Sequence, residues 1–336
     1  YFWRTRIAPT ANFQPHFSGW NYEMRREGAF FEFPSRRDWP GAYPAKVSIL
    51  VRTVGRQAWL LQALSSIANQ TYPNVEVVLV EDGPATCQNL VEHFSDRIPI
   101  IYEALGVRQG RSIAGNRALE LARGEWLGFL DDDDLLFADH VEACLYTALK
   151  VQADAVYAIG WETHTRTLDK DTAEYREELH LVRNAQPFDR VTLWHYNFLP
   201  IQTVLFHRRL YEKHGGFNEA MDQLEDWNLW TRYSLEDDFV FIPKVTSKYR
   251  VPAEKKISLE RQRALDLAYQ DAVRRQQDMY FTTTPRKIAE MVNKHVLARS
   301  MIRLEIPHPR NWSWRPLPIA WLLERRSSLR AMIRRI

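Results

Sequence analysis

The sequence predicts an α/β fold with a mostly parallel sheet covered by helices on both faces. The runs KVSILV from Lys46 and NVEVVLV from Asn74 are continuously apolar and rich in β-branched residues, which is how strands buried on both sides read. Segments with apolar residues at helical spacing alternate with them, the pattern of successive βα units. Sheets of this kind bind ligands beyond the carboxyl ends of their strands. Thr53, Asp82 and Asp131 all stand at such ends.

Residues 1–45 hold 12 aromatics and five prolines without a clear period, so they read as an extended arm laid over the main domain. For Trp20 and Trp39, packing on the body is the plainer reading and sugar stacking the alternative. KVSILV forms a strand ending at Arg52, and WLLQALSSIANQ continues as a helix. NVEVVLV is a second buried strand, stopped by Glu81-Asp82-Gly83-Pro84. A helix around CQNLVEHFS, a short strand IPIIYE, the loop GVRQGRS, the helix IAGNRALELARG and the strand EWLGFL follow. Residues 136–250 are more mixed: a strand ADAVYAIG, a strand QTVLFHR, the turn HGGF, the helix DWNLWTRYS and closing strands in FVFIPKVTSKYRV. Residues 257–304 read as two helices, the second opened by Thr284 as N-cap and Pro285 at its first position. The domain plan is thus an arm (1–45), a main domain (46–250, its halves meeting at 135/136) and a helical C-terminal extension (251–336).

Composition narrows the class. The chain is 45% hydrophobic and 26% charged, as in soluble globular proteins. No apolar run approaches the 18 or more residues of a membrane span. Only Cys87 and Cys144 occur, far apart, which argues against a disulfide framework or a cysteine zinc site and suits a reducing, cytoplasmic compartment. The chain opens YFWRTR without methionine, so it reads as a fragment or a processed piece, with room for further domains of a longer polypeptide. The net charge of +3 is unevenly spread: residues 251–336 carry 18 Lys/Arg against 8 Asp/Glu, and residues 1–250 carry 27 against 34. Acidic chemistry sits in the body and basic attraction in the tail. No nucleic-acid recognition motif accompanies that tail. Leu322, Leu329, Ile333 and Ile336 share one arc of a helical wheel near Trp312, Trp314 and Trp321. Two readings stay open: an interfacial helix on the inner face of an anionic membrane, or a helix docked on protein.

The stretch GEWLGFLDDDDLLFADH drives an apolar strand into four aspartates. Two unit charges about 6 Å apart repel by roughly 2–3 kcal/mol at an effective dielectric near 20, so a partner or full solvation is required. On an extended segment Asp131 and Asp133 would share one face and Asp132 and Asp134 the other. Two carboxylates converging at a strand end suit Mn²⁺ or Mg²⁺, with a diphosphate and water completing the octahedron.

Four blocks in order, KVSILVRTVGR, EVVLVEDGP, GRSIAGNRALELARGEWLGFLDDDD and GGFNEAMDQLEDWNLW, resemble those of family 2 glycosyltransferases over about residues 46–250. The resemblance implies a GT-A fold and transfer of a sugar from a nucleotide-diphosphate donor (UDP-, GDP- or dTDP-sugar), with inversion. It places Thr53 and Asp82 beside the nucleoside, Asp82 accepting from the base, with Glu81 as substitute. Asp131 and Asp133 occupy the outer places of the D-x-D metal motif around Asp132, which joins the donor contacts, and Asp226 matches the general base. The chain departs from the pattern twice. Arg52-Thr53-Val54-Gly55-Arg56 stands for Pro-Thr-Tyr-Asn-Arg, and Ala114-Gly115-Asn116 for Ala-Arg-Asn. The resemblance therefore leaves Arg111 or Arg117 to supply the donor-contacting arginine, with Asn116 beside them.

A transferase of this kind implies a glycan or lipid-linked glycan acceptor, as in cell-surface polysaccharide or lipopolysaccharide synthesis. From local sequence alone Asp226 reads equally as a helix-start residue complementing free N–H groups. Arg250, in KYRV, stands where the closing strand could reach a phosphate, with a role that is not phosphate contact as the plainer reading. A sugar nucleotidyltransferase would carry a glycine-rich loop after the first strand, which RTVGRQAW is not. A catalytically inactive nucleotide- or glycan-binding module is the third reading, and intact Asp133 and Asp226 weigh against it.

Overall fold

The computed structural model describes residues 45–301 apart from 236, 237, 278 and 281. The expected N-terminal arm and the basic amphipathic tail lie outside the described residues. All but the last three described residues belong to one compact unit that runs to Ala298.

The first seven expected elements are all present. They are β1 (Val47–Thr53), α1 (Gln57–Ala68), β2 (Val75–Glu81), α2 (Gln88–Phe94), β3 (Ile100–Ala104), α3 (Arg111–Leu121) and β4 (Trp126–Asp131). Next come β5 (Leu135–Leu136), α4 (His140–Val151), β6 (Ala155–Asp169), β7 (Glu174–Leu181), α5 (Arg190–His195), a 3₁₀ turn (Ile201–Thr203) and β8 (Val204–His207). The chain continues through α6 (Arg208–His214), α7 (Glu225–Tyr233), β9 (Val240–Pro252), α8 (Lys255–Gln277) and α9 (Pro285–Met301).

The strands form one nine-stranded sheet in the order β3-β2-β1-β4-β8-β6-β9-β5, with β7 paired to the outer half of β6. β1, β2, β3 and β4 run parallel, as do β6 and β9, while β8 is antiparallel to its neighbours β4 and β6. The continuous apolar runs now have their reason. Leu50, Val78, Val80 and Phe129 face one core with residues of α3 and α7, whereas Ile49, Val51, Val77 and Leu79 face another with residues of α1 and α4. Strand side chains alternate between faces, and here both faces are buried.

Three readings of the second half are corrected. FVFIPKVTSKYRV is one 13-residue strand, β9, rather than several. ADAVYAIG is only the inner half of a 15-residue β6 whose outer half folds into a hairpin with β7. Helix α4 went unrecognised because it is buried along most of its length and so lacks a clean polar face. α8 docks on α7 by stacking Tyr269 on Trp227, ring centroids 5.3 Å apart, and Tyr269 Oη donates to the His195 carbonyl at 3.0 Å. The Thr284 cap of α9 is as expected: Lys287 N–H donates to Thr284 Oγ1 at 3.3 Å. Among the described residues no helix is long and apolar enough to cross a membrane.

Candidate active site

Parallel pairing aligns the strand ends. Arg52 lies opposite Asp131, and Thr53 opposite Glu81, so the carboxyl ends of β1, β2 and β4 form one ledge. The aspartate run sits on it. It is not extended: Asp134 N–H donates to the Asp131 carbonyl at 3.0 Å, closing a turn. The partition expected from an extended segment nevertheless holds, since Asp131 and Asp133 are partly exposed and Asp132 and Asp134 are buried.

Each aspartate has a different partner. Asp131 Oδ1 accepts from Arg52 Nε (3.0 Å) and Nη2 (2.7 Å). Burial works against its charge, but Arg52, with Arg111 and Arg56, holds the carboxyl below the usual range. Asp132 accepts from Thr53 Oγ1 at 2.6 Å and from Arg56 Nε at 3.2 Å, its other oxygen pairing with Arg56 Nη2. Burial pushes its pKa up to about 6 against the pull of Arg56. Asp133 is 35% exposed, and among the described residues only its Oδ2 is engaged, by Arg56 Nη1 at 3.0 Å. Asp134 accepts from Arg250 N–H at 3.1 Å, and burial beside Asp133 and Asp131 raises its pKa well above the ordinary value.

Beneath β2, Glu81 accepts from Thr86 N–H (3.0 Å), Thr86 Oγ1, Cys87 N–H (3.1 Å) and Tyr102 Oη (2.5 Å). It is used in shaping the loop after β2. Asp82 in turn accepts from the N–H groups of Gln109 (2.6 Å) and Gly110 (3.1 Å), pinning the loop that starts α3. Gly55, at φ +85°, allows the β1–α1 loop to close on this one: a Cβ there would lie 2.8 Å from Thr86 Oγ1.

Asp226 stands on a separate element, in the first turn of α7. The residue before that helix, Leu224, has φ +58°, costly for a branched side chain and typical of strain held at functional sites. Asp226 is half-buried, with Oδ2 accepting from Asn197 Nδ2 at 2.9 Å and Oδ1 from Trp227 N–H at 2.8 Å. Burial, and then the charge of Glu225, raise its pKa to about 7.

The remaining expected donor residues are spread out. Arg111 is at the rim, exposed, with Nη1 3.9 Å from Glu225 Oε1. Asn116 clamps the turn after α6, accepting from Phe217 N–H (2.6 Å) and donating to the Phe217 carbonyl (3.1 Å) and Glu219 (2.9 Å). Arg117 is held by Glu103 and Glu120. Arg250 meets protein groups instead of standing ready for a phosphate. It lies 5.0 Å from the Trp59 ring centroid and 4.5 Å from that of Tyr175, donating to Gln62, Tyr175 Oη and the Asp133 carbonyl. Sequence reasoning missed Arg52, Arg56, Glu225 and Asn197. The available signal was Arg52 itself, the one charged residue of a strand buried on both faces.

Among the described residues no group of three or more His, Cys, Asp or Glu is arranged to hold a metal. A divalent cation that keeps waters and substrate phosphates needs only one or two carboxylates. Asp131 Oδ2 and Asp133 Oδ1 fit that need, being the oxygens of this pair left without hydrogen bonds among the described residues.

A model of glycosyl transferase family 2 matches residues 48–215, half of the chain, covering the ledge and the aspartate turn. The chain belongs to glycosyl transferase family 2. EpsH of Bacillus subtilis, named as a glycosyltransferase, is 33% identical over 135 residues, 38% of this chain and 38% of that relative. This family 2 chain thus matches well under half the length of that relative. Among solved structures, it is similar to Staphylococcus aureus TarS 1–349 in complex with UDP (TM-score 0.55, 17% identity, 76% of this chain and 73% of TarS 1–349). It is also similar to the mannosyltransferase PcManGT of Pyrobaculum calidifontis in complex with GDP-Man and Mn²⁺ (TM-score 0.53, 20% identity, 83% and 76%). At these identities the likeness is one of fold, and the fold is the GT-A type.

Proposed function

We propose that this family 2 member is an inverting transferase that moves a sugar from a nucleoside-diphosphate donor to a glycan hydroxyl with a divalent cation at the aspartate turn. The observation that carries the reading is the contrast between two carboxylate sites on separate elements. The strand-end aspartates are partly exposed and paired with arginines, while Asp226 is half-buried with its pKa raised to about 7.

A sugar hydroxyl is a poor nucleophile, and a base whose pKa lies near the working pH accepts its proton most effectively. Asp226 takes the acceptor proton as the hydroxyl oxygen bonds to the anomeric carbon. The bond from that carbon to the diphosphate oxygen breaks, its electron pair leaving with the nucleoside diphosphate. One displacement from the face opposite the leaving group inverts the centre. Asn197 orients the carboxylate. Asp82 and Thr53 border the nucleoside side of the ledge, and Arg111 lies at its rim. Asp133, with Asp131, would hold Mn²⁺ or Mg²⁺, which when bound supplies positive charge to the departing diphosphate.

The experiment is calorimetric titration with UDP, GDP and dTDP, each with and without Mn²⁺. Tight binding of one nucleotide only when Mn²⁺ is present is expected and would name the donor class; heat from none of them would end the reading. The acceptor belongs to the same proposal: a lipid-linked or polymeric surface glycan, met by a cytoplasmic enzyme peripheral to the inner membrane face. The basic amphipathic sequence of residues 310–336 supports membrane contact. Flotation on anionic vesicles should fall when that segment is deleted, and equal flotation would remove the membrane from the picture.

A further inference from the structure

We propose that Arg52 is a positioning residue that locks strand-end Asp131 to the helix bearing Asp226, and that Gly115 provides the room for it. The assignment rests on the transferase reading and adds a component to it. Arg52 ends β1 on the Leu50 face, and its side chain is 6% exposed. Its guanidinium lies 5.9 Å from the Phe129 ring centroid and 5.4 Å from that of Phe217. Two of its nitrogens donate to Asp131 Oδ1, and Nη1 donates to Glu225 Oε1 at 2.9 Å. One buried cation therefore joins β1, β4 and the first turn of α7. A guanidinium donates in a fixed planar fork, so this bridge sets angles as well as distances.

Gly115 is the second half of the device. A Cβ on it would lie 2.5 Å and 2.7 Å from Phe217 ring carbons and 3.5 Å from Arg52 Cδ. Any side chain there would displace the Phe217 ring that packs on the guanidinium. Where the pattern of the resemblance has Pro and Arg, this chain has Arg52 on β1 and Gly115 on α3. Neither Arg111 nor Arg117 fills that place, since the first is exposed at the rim and the second is bound to Glu103 and Glu120.

The bridge has two consequences for chemistry. Asp131 Oδ1 is occupied by two N–H groups, so only Oδ2 is left for the donor side. Glu225 is turned to Arg52, so the first turn of α7, and Asp226 with it, is anchored to the ledge that holds the diphosphate. A displacement of about 1 Å between reacting groups can cost about 100-fold in rate.

The test compares the wild-type chain with Arg52→Lys and Arg52→Met. Nucleotide Kd with Mn²⁺ is measured by calorimetry, and kcat and KM by release of nucleoside diphosphate from the matching donor. Arg52→Met should lower kcat about 100-fold and raise the Mn²⁺-dependent nucleotide Kd by only about 10-fold, the low end for losing a partner of a metal ligand. Arg52→Lys should recover about tenfold of the loss. If Arg52→Met does not fold, Glu225→Gln cuts one arm of the bridge without changing its shape and should lower kcat in the same manner. Wild-type kcat in a folded Arg52→Met or Glu225→Gln chain would overturn this assignment alone. A wild type that binds no nucleotide would overturn the transferase reading and this assignment with it.

Discussion

Asp226→Asn is expected to slow transfer by about 10²–10⁴-fold while nucleotide binding with Mn²⁺ stays as in the wild type. Asparagine keeps the shape and can still accept from the Trp227 N–H, at the loss of the bond from Asn197, but it cannot take a proton. The pH behaviour separates a base from a residue that only holds the helix start. With its pKa raised to about 7 by burial and by Glu225, Asp226 is half-protonated near neutrality, so wild-type kcat/KM should fall as pH drops below about 7. The residual rate of the variant should show no such limb. The stability effect has a definite sign. A carboxyl whose folded-state pKa lies above its unfolded value binds more protons when folded, so its contribution declines as pH rises from about 4 to about 7. Thermal melts of Asp226→Asn should therefore lie above wild type at pH 8 and close to it at pH 4. An inactive variant with the wild-type melting profile at both pH values would argue against a strained base.

How much of this was legible in the sequence depends on the range of the contacts involved. β1, β2 and β4 could be read because each strand feeds two cores and so has no polar face to interrupt it. Their ends could be read because ligand sites of such sheets follow from topology. The β6–β7 hairpin could not: EYREELHL is charged, half-exposed and pairs only with β6, so no burial pattern marks it. The aspartate run was divided into the right two pairs for the wrong local reason, because a turn and a strand can partition four residues alike. Arg52 shows the harder limit. Its carboxylate partners lie 79 and 173 residues away, and the space it uses exists because of a glycine on another helix. Nothing in the neighbourhood of RTVGR announces that arrangement, although an arginine ending a doubly buried strand requires some partner.

Asp133→Ala and Asp131→Ala should part company, although both stand at outer places of the motif. Asp133 is 35% exposed, and its one side-chain partner is the exposed Arg56, so its loss leaves no buried group unpaired. Its removal should leave the denaturation midpoint near wild type and weaken metal-dependent nucleotide binding by at least about 100-fold, since even outer-shell partners of a metal ligand are worth about 10–100-fold. Asp131→Ala removes two of the three hydrogen bonds of a guanidinium that is 6% exposed. Breaking a buried pair typically costs about 3–5 kcal/mol, and because Asp131 itself is 29% exposed the lower end, about 3 kcal/mol, is expected. Denaturant unfolding with calorimetry on both variants decides the matter. Equal destabilisation would mean that Arg52 does not depend on Asp131, and undiminished Mn²⁺-dependent binding in Asp133→Ala would move the metal off the turn altogether.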